Sequence, residues 1–296
     1  MMKNIIVVTG GAGFVGSNLI SLLIKKTKYK IISIDNYSTG SKKNHKQNKR
    51  INYIKGNTKN IATILKNKAN KIKTIFHFGE FARIYQSFLK MSECIDSNSV
   101  GSNAVFNFCL TNNIKLFYSA TSASLGNKGK DKNLSPYAFT KSKNLEMLEN
   151  LKKWFDMKYE VVYFYNVYGE GQIKSGSMAT VIGIFENRYK ENKALPVVRP
   201  GNQSRRFTHI KDTIEVCYLA WRRNKCKHYS ISSKKSYTII EVAKLFKSKI
   251  KYLAPRAGER FASALTNMNF SNPVHRHYGK IDLKDYIKNF IKTYKN

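Results

Sequence analysis

Short apolar runs and longer amphipathic stretches alternate along the first 168 residues of this chain. Residues 5–8 form a β-branched run closed by glycine, the pattern of a strand buried on both faces of a parallel sheet. A helical pattern carrying Leu19, Ile20, Leu22, Leu23 and Ile24 follows, and then a second apolar run at 31–34. Strand, helix, strand in this order predicts an α/β fold with a doubly wound parallel sheet. After Gly169 the rhythm is lost, and Pro196, Pro200, Pro255 and Pro273 punctuate the chain, as expected of a smaller C-terminal lobe. The pattern assigns residues 1–168 to the main domain and 169–206 with 233–296 to the lobe, the segment 207–232 returning to the main sheet. Leu283, Ile287, Phe290 and Ile291 recur at i, i+4, i+7 and i+8, which predicts an amphipathic helix packed on a core.

Composition changes this picture little. At 296 residues and 42% hydrophobic, the chain can bury a large core. Its 53 Lys+Arg against 18 Asp+Glu give a formal charge of +35, which raises the question of a nucleic-acid or membrane partner. The lysines are spread over the whole length with no dense basic run, so the charge reads as a solvated surface, with no nucleic-acid partner expected. Cys94, Cys109, Cys217 and Cys226 have no metal-ligand spacing and read as reduced thiols; no metal is expected. Four consecutive apolar residues at 5–8 are too few for a signal-peptide core or a membrane span, and the expectation is a cytoplasmic protein without a membrane partner.

The candidate chemistry begins directly after the first strand. "TGGAGFVGSNLI" places Gly10, Gly13 and Gly16 in G-x-x-G-x-x-G spacing between a strand and a helix. Gly10 permits the tight turn, Gly13 lets a pyrophosphate approach the helix N-terminus, and Gly16 lets helix and strand lie close. The second strand ends in Asp35, where an acid binds the adenosine ribose hydroxyls of a dinucleotide and repels a 2′-phosphate. NAD is therefore favoured over NADP, with Lys42 and Lys43 pulling the other way. Further on, "SPYAFTK" sets Tyr137 four residues before Lys141, behind an N-cap serine and a first-turn proline. At that spacing the two share one helix face, and a cation there would lower the phenol pKa. An exposed face of Tyr and Lys would give the same spacing.

With these motifs together, the chain resembles the extended short-chain dehydrogenase/reductase superfamily, in its NAD-dependent nucleotide-sugar epimerase and dehydratase branch, nearly end to end. The branch has a Rossmann domain and a smaller C-terminal substrate-binding lobe. "GFVGS" and "DNYSTG" match it, which adds Phe14, Val15 and Asn36 to the cofactor residues. "IFHFGE" at 75–80 matches the strand ending in His followed by small residues, here Phe78 and Gly79, and Asn98 falls where the family has an Asn in the next helix. Asn57 replaces an Asp that touches adenine, and its amide can hydrogen-bond the adenine amino group as well. The resemblance makes Tyr137 and Lys141 the catalytic pair and Thr121, in "LFYSATSASLG", the hydroxyl residue beside them, with Ser122 its nearest rival. "FYNVYGEGQ", "RRFTHIKD" and "PRAGER" imply substrate contacts from Asn166, Arg205 and Arg256, and counting on from Arg256 puts Ser263 near the sugar C2 substituent.

Four departures shape the functional expectation. Dehydratases and decarboxylases of the branch carry an acid soon after the catalytic Thr, whereas Ser122 and Ala123 follow here, which favours epimerisation. Glu80 and Arg83 stand where relatives have small or neutral residues; an i, i+3 ion pair is expected ahead of a sugar contact from Glu80. Arg206 and Lys211 replace family acids, and Tyr163 replaces a frequent Arg. The expected activity is 4-epimerisation of a UDP-hexose or UDP-N-acetylhexosamine by a homodimer, with tightly bound NAD. The alternatives are a nucleotide-sugar 4,6-dehydratase or 4-ketoreductase, and, in another class, a non-catalytic NAD-binding protein.

Overall fold

The computed structural model describes residues 3–124, 131–255 and 273–295. In chain order, β1 (Ile5–Thr9), α1 (Phe14–Lys26), β2 (Lys30–Asp35), β3 (Ile51–Lys55), α2 (Ile61–Leu65), β4 (Ile72–His77), α3 (Ile84–Leu89), α4 (Met91–Ile95), α5 (Ser102–Thr111), β5 (Lys115–Thr121), α6 (Pro136–Phe155) and β6 (Tyr159–Phe164) build the main domain. They are followed by β7 (Val167–Tyr168), α7 (Val181–Lys190), β8 (Leu195–Val198), β9 (Ser204–Arg205), β10 (Thr208–His209), α8 (Ile210–Arg223), β11 (His228–Ser232), β12 (Tyr237–Thr238), α9 (Ile239–Leu245), β13 (Ile250–Leu253), β14 (Val274–Tyr278) and α10 (Leu283–Lys295).

Eight strands form one sheet in the order β14-β11-β6-β5-β4-β1-β2-β3, and every pairing is parallel. A parallel sheet needs cover on both faces, which explains the near-continuous apolar strands. Val7, Ile34, Ile75, Leu116 and Val161 face a core shared with α5 and α6, while Ile6, Val8, Phe76, Phe117 and Val162 face one shared with α1 and α8. A third core fills the lobe: Phe185 of α7, Leu195 and Val197 of β8, Val242 of α9, and Leu283 and Ile287 of α10.

After β10, which pairs with β7, α8 packs on α1 and β11 pairs with β6 of the main sheet. One further segment joins them. β14 pairs with β11 in register His228 to Val274, so part of 233–296, read as lobe, forms the sheet edge. "VHRHY" carries no strand signal because an edge strand buries little: none of its five side chains is fully buried and three are exposed, which also discourages pairing with a foreign strand.

Candidate active site

β5, β4, β1 and β2 are parallel neighbours, so their carboxyl ends lie along one edge of the sheet, where the glycine loop follows β1. Gly10 adopts φ +68°, donates its N–H to the Ile34 carbonyl at 2.8 Å, and a Cβ there would lie 2.7 Å from the Phe78 carbonyl oxygen. At Gly16 a Cβ would lie 2.2 Å from the Gly10 carbonyl oxygen. Gly13 is the N-cap of α1; it provides no side-chain cap, and the first turn holds no acid. The helix thus begins with free N–H groups and the positive end of its dipole, at Phe14 and Val15, suited to a pyrophosphate.

Asp35 ends β2 with its carboxylate under this loop: Oδ2 accepts from Ala12 N at 2.9 Å and Oδ1 from Tyr37 N at 2.8 Å. Burial raises its pKa against these bonds, which favour the ionised form. The Asn36 and Asn57 side-chain oxygens accept from Ser38 N at 3.0 Å and Lys59 N at 3.1 Å and shape the flanking turns. Phe78 N and Gly79 N both donate to Thr9 Oγ1 at 3.1 Å, which ties the end of β4 to β1. The residues present fit a dinucleotide.

Beyond β5, Ser135 caps α6 by accepting from Ala138 N at 3.1 Å, with Pro136 in the first turn, as the sequence predicts. Tyr137 in that turn is bonded by the Thr121 hydroxyl from the end of β5. Lys141, one turn on, is buried; its ammonium bonds Glu80 and the Ser119 carbonyl and lies 4.2 Å above the Tyr118 ring. Asn98, fully buried in a widened helical turn at 96–101, accepts from Phe81 N at 2.6 Å and donates to Thr140 Oγ1 at 3.2 Å, fixing the loop that carries Glu80.

Two expectations are corrected here. Glu80 pairs with Lys141, not with Arg83, because α3 begins only at Ile84 and Arg83 is extended, so the i, i+3 spacing never becomes helical. Arg83 Nε instead donates to the Met178 carbonyl at 2.8 Å and Nη1 to that of Ala82 at 2.7 Å. The Tyr137 phenol is pushed up to about 12 instead of down: burial is the largest cause, the Glu80 charge adds to it, and Thr121 and Arg83 oppose. Burial likewise lowers the Lys141 pKa, with Glu80 opposing.

Sequence reasoning missed Ser102, Tyr118 and Asn144, which join Glu80 around Lys141. Asn144 was findable, three residues after Lys141 on the same face of α6. On the lobe side, Asn166 (φ +38°) donates to the Arg206 carbonyl at 3.0 Å, Arg205 Nη1 donates to the Ser204 carbonyl at 2.9 Å, and Arg206 Nη1 donates to that of Ser233 at 3.0 Å. Asp212 accepts from Lys280 N and Ile281 N at 3.0 Å, a fastening of the segment before α10. Tyr163 bonds His228 Nδ1 at 3.0 Å, a link between β6 and β11, which accounts for the departure at that position. Arg256 and Ser263 lie outside the described residues.

A cleft of about 900 Å³ opens at the other end of the sheet, lined by Lys3, Lys73, Lys115 and Trp221. It lies at the amino ends of the strands, away from Tyr137, whereas open α/β sheets bind ligands at the carboxyl ends.

Residues 6–232 match the NAD dependent epimerase/dehydratase family. The chain belongs to this family. Among curated members, ADP-L-glycero-D-manno-heptose-6-epimerase of Brachyspira hyodysenteriae is 30% identical over 84% of each chain. A Methanocaldococcus jannaschii member provisionally named UDP-glucose 4-epimerase is 26% identical over 98% of each. Among solved members, UDP-glucose 4-epimerase of Thermotoga maritima superposes with a TM-score of 0.84 at 22% identity, covering 98% of both chains, and supports the fold.

Proposed function

We propose that the protein is an NAD-dependent nucleotide-sugar 4-epimerase acting on a UDP-hexose or UDP-N-acetylhexosamine. The observation that carries this reading is the Thr121–Tyr137 hydroxyl pair at the carboxyl end of β5, on the same edge of the sheet as the uncapped N-terminus of α1. Gly10, Gly13, Phe14, Val15, Gly16, Asp35, Asn36, Asn57, Phe78, Gly79 and Asn98 would hold or shape the site for NAD, which when bound supplies the hydride acceptor and donor. Tyr137 takes the proton of the sugar O4 hydroxyl as C4 is oxidised, and gives it back when the 4-keto sugar is reduced on its other face. Thr121 orients that oxygen toward Tyr137. Lys141, one turn on along α6, would hold the nicotinamide ribose.

Ser122 and Ala123 after Thr121 offer no acid to expel water, which supports epimerisation over dehydration. Asn166, Arg205 and Arg256 are assigned to the nucleotide diphosphate, Ser263 to the C2 substituent, and Glu80 to the site's charge. The exposed side chains of Ile95, Val100, Phe139, Met147 and Trp154 support a homodimer formed through the helices containing residues 95–110 and 139–154. No helix among the described residues is long and apolar enough to cross a membrane, consistent with our assignment to the cytoplasm.

The test is a panel of UDP- and other nucleotide-sugars, each followed for C4 inversion by NMR, with Tyr137→Phe as the control. Inversion of UDP-N-acetylglucosamine at least as fast as of UDP-glucose is expected. Loss of water from the sugar, or activity retained in Tyr137→Phe, refutes the proposal.

A further inference from the structure

Arg83 is a cation at a position where the resemblance implies a small or neutral residue, and no acid answers it. It ends the loop after β4 in an extended conformation, φ −142° and ψ 127°, and its side chain is partly buried. Nε donates to the Met178 carbonyl at 2.8 Å and Nη1 to that of Ala82 at 2.7 Å, so the guanidinium is pinned between its own loop and the segment leading into α7. Both acceptors are neutral. Glu80, the acid of the same loop, is taken up by Lys141, Ser102, Tyr118 and Asn144. Among the described residues, Arg83 has no carboxylate partner and its Nη2 has no acceptor. A cation withdrawn from water without an anion is unfavourable, and the partner that matches a guanidinium fork is a planar carboxylate.

The first turn of α3 joins this cation to the catalytic tyrosine. Ser87 donates its N–H to the Arg83 carbonyl at 3.2 Å, and its Oγ accepts from Tyr137 N at 3.2 Å. Arg83 and Tyr137 thus flank one serine, and the charge of each acts on the other. In the epimerase reading Tyr137 meets the sugar at O4. The diphosphate is joined to C1, at the opposite end of the ring from C4, so it is not the anion beside Tyr137. The substituents next to C4 are the C3 hydroxyl and C6, which is carried on C5; of the two, C6 becomes a carboxylate on oxidation. We infer that Arg83 selects a sugar oxidised at C6, a UDP-hexuronic acid with or without an N-acetyl group, and pairs with its carboxylate while Tyr137 works at O4. The inference rests on the epimerase reading for which end of the sugar meets Tyr137.

UDP-glucuronate and UDP-glucose differ only at C6, and their dissociation constants for the NAD-loaded protein, measured by calorimetry, isolate that contact. Tighter binding of UDP-glucuronate by about tenfold or more is expected, the scale of a charge-assisted pair. In Arg83→Met the preference collapses. Loss of the bond to Met178 alone would weaken both sugars together and leave their ratio unchanged, so a folded Arg83→Met that keeps the preference overturns the inference. Wild type that binds UDP-glucose as tightly as UDP-glucuronate overturns it without any variant. Inversion at C4 is followed separately by NMR. If neither sugar is inverted, the epimerase reading fails, while a preference abolished in Arg83→Met still assigns the carboxylate to Arg83. Binding of neither sugar overturns both.

Discussion

Gly16→Ala isolates the close approach of α1 to the glycine loop. In an exposed helix interior this change stabilises by about 1 kcal/mol, because glycine has the poorer helix propensity. Here the added methyl would stand 2.2 Å from the Gly10 carbonyl oxygen and 2.9 Å from Gly10 C and Gly11 Cα. All three are backbone atoms of a loop already held by the Gly10–Ile34 and Gly13–Gly10 hydrogen bonds, so the strain is not relieved by a side-chain rotation. Overpacking of this kind costs about 1–3 kcal/mol, and the helix must tilt or the loop must open. With an unfolding entropy of about 2.1 cal/mol/K per residue, a net loss near 2 kcal/mol lowers Tm by about 3 °C in a chain of 296 residues. Scanning calorimetry gives the stability, and titration with NAD gives the second consequence, weaker binding, because Gly13 and the first-turn N–H groups move with the loop. A Tm raised by the helix-propensity gain, with NAD affinity unchanged, would refute the close-packing argument.

Asp35→Ala is expected to weaken NAD more than NADP, and also to loosen the loop, since Ala12 N and Tyr37 N lose their acceptor; an unchanged cofactor preference in binding titrations would shift the determinant to Lys42 and Lys43. Burial lowers the His228 pKa to about 4, so this imidazole stays neutral in the folded protein while the unfolded chain binds a proton below 6.5. Its contribution is therefore complete above pH 6.5 and falls as the pH drops toward 4, by up to about 3 kcal/mol; urea melts at pH 7 and 5 should converge partly in His228→Gln, and an unaltered pH dependence would count against it. Trp154→Ser with Phe155→Ser, which removes two exposed aromatic rings from α6, should turn a dimer into a monomer by light scattering without lowering Tm sharply; a double variant that still dimerises excludes this end of α6 from the interface.

What could be read from the sequence was what local geometry dictates. Gly10 and Gly16 declare backbone positions where no Cβ fits, and Ser135-Pro136 declares a helix start; neither depends on distant residues. The partners of Lys141 do. Glu80 lies 61 residues away in sequence and reaches Lys141 only because β4 and β5 are neighbours in the sheet. The pKa of Tyr137 was misread for a related reason: burial, which no local spacing declares, raises it most, and the remote Glu80 charge adds to that. β14 was invisible because a strand at a sheet edge needs no apolar alternation.

That edge strand also bears on biogenesis. The glycine loop, Asp35, Thr121 and α6 all precede residue 156, yet the outer edge of their sheet is completed by residues 274–278, and the lobe core by Leu283 and Ile287. During synthesis from the N-terminus, the nucleotide-binding half emerges with β6 and then β11 as temporary edges, each an open template for a foreign strand. Chaperone dependence of the nascent chain should therefore persist until residues beyond 287 have left the ribosome, long after Thr121, Tyr137 and Lys141 have been made.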